Sequence, residues 1–393
     1  MSVAHVFKKS EYCGDLVASP TETLFTYKPR WIDDGREQVA STLPVTPEPV
    51  VRPPRSLPAF FANLLPEGRR LITLIDRVKT SADDEFGLLN AVGADTIGDV
   101  TVVPADEPTE QLADEVQLPL SPNEFSFEEI LEKDLLSDAS LPGVQDKISG
   151  RMISLSAVRT DEEFILKLSP DRYPCVVENE HYFVELARQC GLRAVDTEII
   201  ADRDGRTGLL VKRFDRATVN DEQIRLHVED GCQTSERWPA EKYMIGFEQI
   251  AESMARLCDA PQVAMLELYR QWLFALVTCN GDQHAKNFSI LEGLDGETRV
   301  SPAYDLPCTA FYGDKTLALT ALGKKDGFSR NQVLTLGESL GLPERVCSSV
   351  LDRILTGTAD MIGEIEDGAI PLDTTRTQTA VKLLRNRRRM LGG

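Results

Sequence analysis

Cys279-Asn280-Gly281-Asp282-Gln283-His284-Ala285-Lys286-Asn287, continued by Phe288-Ser289-Ile290-Leu291, is the stretch whose reading decides the fold. It follows a long apolar segment, Val263 to Val277, and carries an Asp and an Asn in the frame D-x-x-x-x-N. In such a frame the carboxylate can take the proton of an acceptor hydroxyl, and the Asn side-chain oxygen can hold a magnesium ion against phosphates. Asp305, in Ala303-Tyr304-Asp305-Leu306, stands eighteen residues beyond Asn287, where a second metal ligand on a strand end would be. The frame alone also fits a polar turn after a buried helix, because a chain with 63 acidic residues produces such pairs by chance.

The frame is that of protein-kinase catalytic loops, and the chain upstream adds to it. Ser140-Leu141-Pro142-Gly143-Val144-Gln145-Asp146-Lys147 reads as a loop able to cover phosphates with backbone amides. A strand-like stretch follows, with Ile148, Met152, Ile153 and Leu155, and then Phe164-Ile165-Leu166-Lys167-Leu168. Lys167 lies on an otherwise apolar strand, where a bare ammonium is costly and calls for an anion. The other reading is snorkelling to the sheet edge. Val177 to Cys190 reads as a helix from which Glu180 or Glu185 can pair with Lys167. Leu209 to Asp215 ends in Lys212, Arg213 and Phe214, whose chain order places them between two lobes, where backbone groups can read an adenine edge. His284 and Lys286 are further candidates for nucleotide contact.

The chain has 393 residues, enough for two or three packed units. No apolar run of membrane-spanning length occurs, and Met1 to Ser10 has no signal-peptide core, so a soluble cytoplasmic protein without membrane contact is expected. The eight Cys are scattered without a C-x-x-C, and read as small buried hydrophobes in a reducing compartment. A formal charge of −20 repels a phosphate backbone, so direct DNA contact by this chain is expected to be minor or absent. Against that trend, Lys382 to Arg389 carries five basic residues and reads as a solvated helix end.

Four regions follow from composition: 1–104, a strand-rich unit with helices after Gly68; 105–125, an acidic linker; 126–218, a small lobe with the phosphate loop; and 219–393, an α-helical lobe. Short strands are expected at Ala4–Phe7, Leu24–Tyr27 and Ala40–Leu43, and a central buried helix over Val263–Thr278. The fold class is α+β: a two-lobed protein-kinase-like fold with an additional N-terminal α/β subdomain.

In its motifs the chain resembles the HipA family of bacterial serine/threonine kinases, the toxins of toxin–antitoxin pairs. The resemblance rests on Ser41-Thr42-Leu43-Pro44, Phe60 to Gly68, Asp84 to Leu89, Ser140 to Lys147, Val211 to Arg216, His227 to Gln233, Asn280 to Asn287 and Tyr304-Asp305. It implies Asp282 as the catalytic Asp, Asn287 and Asp305 as Mg²⁺ ligands, and Lys167 on the ATP phosphates. It places Gly143, Val144, Gln145, Asp146 and Lys147 in the phosphate loop, and Ser140 at an inhibitory autophosphorylation position. It also implies a substrate in translation, such as glutamyl-tRNA synthetase, and a small dimeric helix-turn-helix antitoxin that binds operator DNA. Two positions depart from the family pattern: Pro142 precedes Gly143, and Gly231 stands before Cys232-Gln233 where a bulkier residue is expected. The rival readings are a small-molecule phosphotransferase of related fold and a catalytically silent co-repressor scaffold.

Overall fold

The structure, a computed structural model, describes residues 1–105, 116–119, 121, 124–133, 153–160 and 162–393. Ser140, Pro142, Gly143, Val144, Gln145, Asp146 and Lys147 lie outside the described residues, as does most of the stretch read as an acidic linker.

The first unit is an antiparallel sheet built from β1 (Ser2–Lys8), β2 (Glu11–Ala18), β3 (Thr23–Tyr27), β4 (Val50–Arg52) and β5 (Val100–Pro104), in the order β4-β3-β2-β1-β5. Its inward side chains alternate, with Ala4, Val6, Leu16, Phe25 and Tyr27 meeting Phe60, Phe61, Phe86 and Leu89 in one core. The helices Gly68–Val78 and Glu85–Val92 follow the order expected, and Asp84 caps the second by accepting from the Gly87 amide. The run Ala40–Leu43, expected as a strand, forms only an isolated bridge on itself. The reason is a competing acceptor: Glu229, far away in sequence, takes both the Ser41 amide and hydroxyl at 2.8 Å. The strand Glu11–Ala18 was not signalled, because Glu11, Tyr12 and Asp15 break up its apolar side.

The small lobe is a second five-stranded sheet. Its strands are β6 (Val116–Gln117), β7 (Ile153–Arg159), β8 (Glu162–Leu168), β9 (Thr197–Ala201) and β10 (Thr207–Lys212), ordered β6-β7-β8-β10-β9. The two-residue β6 falls inside the stretch read as linker and pairs parallel with β7. Period-two alternation sorts β8. Phe164, Leu166 and Leu168 join Phe125 and Phe127 on one face, and Ile165 joins Val211 and Val177 on the other. Lys167, in register with Ser154 and Leu209, shares that second face, against which the helix Val176–Gln189 lies.

A hairpin of β11 (Arg216–Val219) and β12 (Glu222–Arg225) leads into β13 (Val228–Asp230), which pairs with β14 (Ser289–Glu292) and through it with β15 (Thr298–Val300). The helix Pro261–Thr278 is apolar nearly all round and runs through the core of the large lobe. It ends at Cys279, in the left-handed conformation at φ +57°, and so releases the chain abruptly into Asn280–Asn287. In the last helix, Thr374–Leu391, Lys382, Arg385 and Arg389 are exposed as expected from its charge, but Arg387 and Arg388 are not. Arg387 is buried and donates to the Leu276 and Lys315 carbonyls at 3.0 and 2.6 Å, and Arg388 donates to the Leu355 carbonyl at 3.0 Å. Guanidinium groups satisfy carbonyl ends of neighbouring helices there, which a count of charges cannot reveal. Among the described residues no helix is long and apolar enough to cross a membrane.

Candidate active site

One cleft of about 310 Å³ lies between the small lobe, the large lobe and the N-terminal subdomain. Its walls include Ile165, Lys167, Val211 and Phe214 from above, Asn287, Tyr304 and Asp305 from below, and Asn63, Glu67 and Ile97 from the N-terminal side. The apolar part of such a wall suits a flat base, and the polar part suits phosphates.

Lys167 is buried, and its ammonium donates to Glu180 Oε1 at 2.7 Å and to Asp305. Sequence left Glu180 and Glu185 open as its partner. The structure selects Glu180, since Glu185 turns outward to Arg188. Burial opposes the Lys167 charge, but Asp305 and Glu180 outweigh it and raise the ammonium's pKa. Burial also raises the Glu180 carboxyl, with Lys167 opposing. Asp305 shows the reverse outcome: Lys167 overcomes burial and holds the carboxyl below the ordinary range, so it stays ionised. Asp305 itself adopts φ +53°, a conformation that costs a non-glycine residue roughly 1 kcal/mol or more. It is held there by Asn280 Nδ2, which donates to its carbonyl at 2.9 Å, and by the parallel bridge of Ala303 to Ala194.

The loop after the buried helix is a chain of internal hydrogen bonds. Asn280 Oδ1 accepts from the Asp282 amide at 2.9 Å, Gln283 Nε2 donates to the Asn287 carbonyl at 2.8 Å, and Asn287 Nδ2 donates to the Asp282 carbonyl at 3.0 Å. That last bond fixes the Asn287 amide so that its nitrogen faces the loop, leaving Oδ1 as the end available to a cation. The donor set is then an amide oxygen and an ionised carboxylate, all-oxygen ligands of the kind Mg²⁺ takes. One orphaned group, His284, lines the cleft, and a second belongs to Glu180, the buried partner of Lys167. Glu180 Oε2 and both ring nitrogens of His284 are buried without a hydrogen-bond partner among the described residues. Burial and Lys242 lower the His284 pKa to about 4, so the ring is neutral. Unmet polar atoms in a cleft fit a polar ligand that completes them.

Other sequence candidates are placed differently. Lys286 lines the cleft, but its ammonium donates to the Asn63 carbonyl and Oδ1 at 2.8 and 3.1 Å and lies 3.4 Å from Asp230, which makes it a tether. Arg213 is buried with Asp215 and Asp95, and Lys212 pairs with Glu162 at the surface. All the same, Lys212, Arg213 and Phe214 line the cleft, and the Phe214 ring stands 5.4 Å from that of Tyr304. Gly231 has a reason for its size: a Cβ there would stand 2.6 Å from the Ala285 carbonyl, inside the catalytic loop. A bulkier residue would push that loop.

Sequence reasoning missed Tyr243, whose hydroxyl donates to Asp282 Oδ1 at 2.7 Å. Nothing near Tyr243 signals the contact. It also missed roles for Asn63 and Glu67, although the motif that holds them was legible.

The comparisons agree with this geometry. Residues 139–362 match the family model described as the HipA-like C-terminal domain, and residues 4–103 match the HipA N-terminal domain. A putative kinase, Y4mE, of Sinorhizobium fredii is 29% identical over 378 residues, covering 87% of each chain. The serine/threonine-protein kinase toxin HipA of Shewanella oneidensis is 29% identical over 414 residues, covering 95% of this chain and 92% of that one. A solved complex of HipA, HipB and operator DNA from Shewanella oneidensis has a chain that superposes with TM-score 0.78 at 24% identity, over 99% of this chain and 97% of that one. With its two domain matches in order and its kinase cleft assembled, the chain belongs to the HipA family and is a protein kinase.

Proposed function

We propose that this chain is the toxin of a toxin–antitoxin pair, transferring the γ-phosphoryl group of ATP, with Mg²⁺, to a Ser or Thr hydroxyl of a cytoplasmic translation protein. Glutamyl-tRNA synthetase is the first substrate to test. The observation that carries the reading is the convergence of Lys167, Glu180 and Asp305 in one ion cluster, with Lys167, Asp305 and Asn287 lining one cleft and the Asn287 amide tied to the Asp282 carbonyl. These groups come from a strand, a helix and two loops of the chain. Bound Mg-ATP supplies the phosphoryl group and the neutralisation of its developing charge. The chain's own residues position and hold. Asp282 accepts the proton of the acceptor hydroxyl, with Tyr243 fixing one of its oxygens. Asn287 Oδ1 and Asp305 would hold the cation, and Lys167, steadied by Glu180, would contact phosphate oxygens.

Ser140 is the proposed inhibitory autophosphorylation site: about two negative charges beside a phosphate-covering loop disfavour ATP there. The proposed partner is a small, dimeric helix-turn-helix antitoxin that binds the operator. The formal charge of −20 favours an arrangement in which the antitoxin, not this chain, carries most of the DNA contact.

Intact mass after incubation with Mg-ATP tests the reading, comparing wild type, Ser140→Ala and Asp282→Ala. One added phosphate on wild type and none on either variant is expected. Phosphorylation of Asp282→Ala at the wild-type rate would overturn the assignment, and a phosphate retained by Ser140→Ala would move the modified site.

A further inference from the structure

The N-terminal subdomain reaches the loop Asn280–Asn287 along one wall of the cleft. Its motif Phe60 to Gly68 buries both Phe side chains in the subdomain core and then turns its polar end toward the cleft. Glu67 Oε2 accepts from Lys242 Nζ at 2.6 Å, and Glu67 Oε1 lies 3.9 Å from Lys286 Nζ. Asn63 completes the clasp. It accepts from Lys286 and donates through Nδ2 to the Arg237 carbonyl at 2.7 Å. Residues 63–67 therefore grip two pieces of the large lobe at once: the catalytic loop, and the segment 237–243.

That second piece is where the partner of Asp282 originates. Tyr243 donates to Asp282 Oδ1 at 2.7 Å, its ring stands edge-on to His284 at 5.0 Å, and the Lys242 carbonyl accepts the Ala285 amide at 3.1 Å. Lys242 and Lys286 both point at the same place, and two ammonium groups converging there need an anion between them. Glu67 is the carboxylate that reaches both, while Asp230 stands nearer to Lys286 alone. Against the pull of burial, Lys286 and Lys242 hold its carboxyl down to about 2. Docking of the subdomain does not depend on this contact. Trp238 Nε1 donates to the Leu57 carbonyl at 3.1 Å, Gln233 Nε2 to the Phe60 carbonyl at 3.1 Å, and Arg52 pairs with Glu236 at 2.8 Å.

We propose that Glu67 is a positioning residue of the kinase active site: acting through Lys242 and Tyr243, it aims the Asp282 carboxylate, so the N-terminal subdomain supplies part of the phosphoryl-transfer apparatus. The proposal rests on the reading of Asp282 as the base. It separates aiming the base from binding the nucleotide, so the two can be measured apart.

The test uses the full chain with Glu67→Gln, Tyr243→Phe, the double variant, and Arg52→Ala as a docking control. Single-turnover autophosphorylation gives the rate, fluorescent Mg-ATP-analogue titration gives the nucleotide affinity, and thermal melting reports folding. Glu67→Gln and Tyr243→Phe each lower the rate on the order of tenfold, with nucleotide affinity and melting temperature near wild type. The double variant is no slower than the slower single one, because both act on one path. Arg52→Ala keeps the wild-type rate. A Glu67→Gln protein at the wild-type rate, multiplicative losses in the double variant, or an equal loss in Arg52→Ala would each overturn the proposal. A wild type that transfers no phosphate would instead overturn the kinase reading beneath it.

Discussion

Two buried ion clusters border the same cleft, and they differ in how fully their hydrogen-bonding capacity is used. In the first, Arg213 and Arg216 spend their guanidinium groups on protein acceptors, although Arg225, which also reaches Asp95, keeps one buried nitrogen without a hydrogen-bond partner among the described residues. Arg213 donates to Asp215, Asp95 and the Thr96 carbonyl, and Arg216 donates to Glu163, Asp215, Asp95 and the same carbonyl. This cluster stitches the N-terminal subdomain to the segment between the lobes. In the second, Lys167 joins Glu180 and Asp305, while Glu180 Oε2 and the His284 nitrogens have no hydrogen-bond partner among the described residues. A completed cluster holds parts together, whereas an incomplete one in a cleft waits for a ligand's polar atoms. The difference fits a structural role for one and the proposed chemistry for the other, although both began as charged residues in motifs.

The comparison breaks most visibly at Asp282. Replacing it with Ala is expected to cost about a thousandfold in phosphoryl transfer with Mg-ATP affinity retained, checked by single-turnover kinetics and nucleotide titration. Lys167→Met is expected to lower kcat/KM by about a hundredfold, with the larger share in nucleotide affinity. The completed cluster should answer oppositely. Arg213→Met leaves Asp215 and Asp95 short of a partner and is expected to cost about 3–5 kcal/mol in urea unfolding, with turnover per folded molecule unchanged. If Arg213→Met were as stable as wild type but inactive, the division between the clusters would fail.

A smaller effect probes the third junction of the subdomain. His227 Nδ1 stands 3.0 Å from Asp99 and 3.1 Å from Lys8, and Nε2 stands 3.1 Å from Glu229. Burial works against the imidazolium, but Asp99 and Glu229 prevail and raise its pKa from 6.5 to about 9. A pKa raised in the fold stabilises fully below 6.5, and that stabilisation is lost as pH rises through about 9. Melting temperature is therefore expected to fall by roughly a few degrees across that window, and His227→Gln should flatten the slope. An unchanged slope in that variant would remove His227 from the account.

How much of this could be read from residues alone follows from where the partners lie. The helix into Asp282 and the strand bearing Lys167 are local patterns, and local patterns survive folding. Glu180 was nearly legible, since it shares a helical face with Phe183, Val184 and Ala187, all buried. Arg387 was not, because its acceptor at Leu276 lies 111 residues away. Likewise, Lys286 reads as a phosphate contact until Asn63, 223 residues away, claims its ammonium. Spacing finds groups that act from one segment, and misses those that a distant segment completes. Ala40–Leu43 misled for the same reason, since Glu229 captured its donors.

Arg387 has a temporal consequence. The helix that delivers Asp282 has its final turn braced by a guanidinium made 111 residues later in synthesis. A nascent chain still short of that point already carries Lys167, Asp282, Asn287 and Asp305, yet lacks the brace beneath them. The footing of that helix is thereby tied to synthesis of residues far downstream.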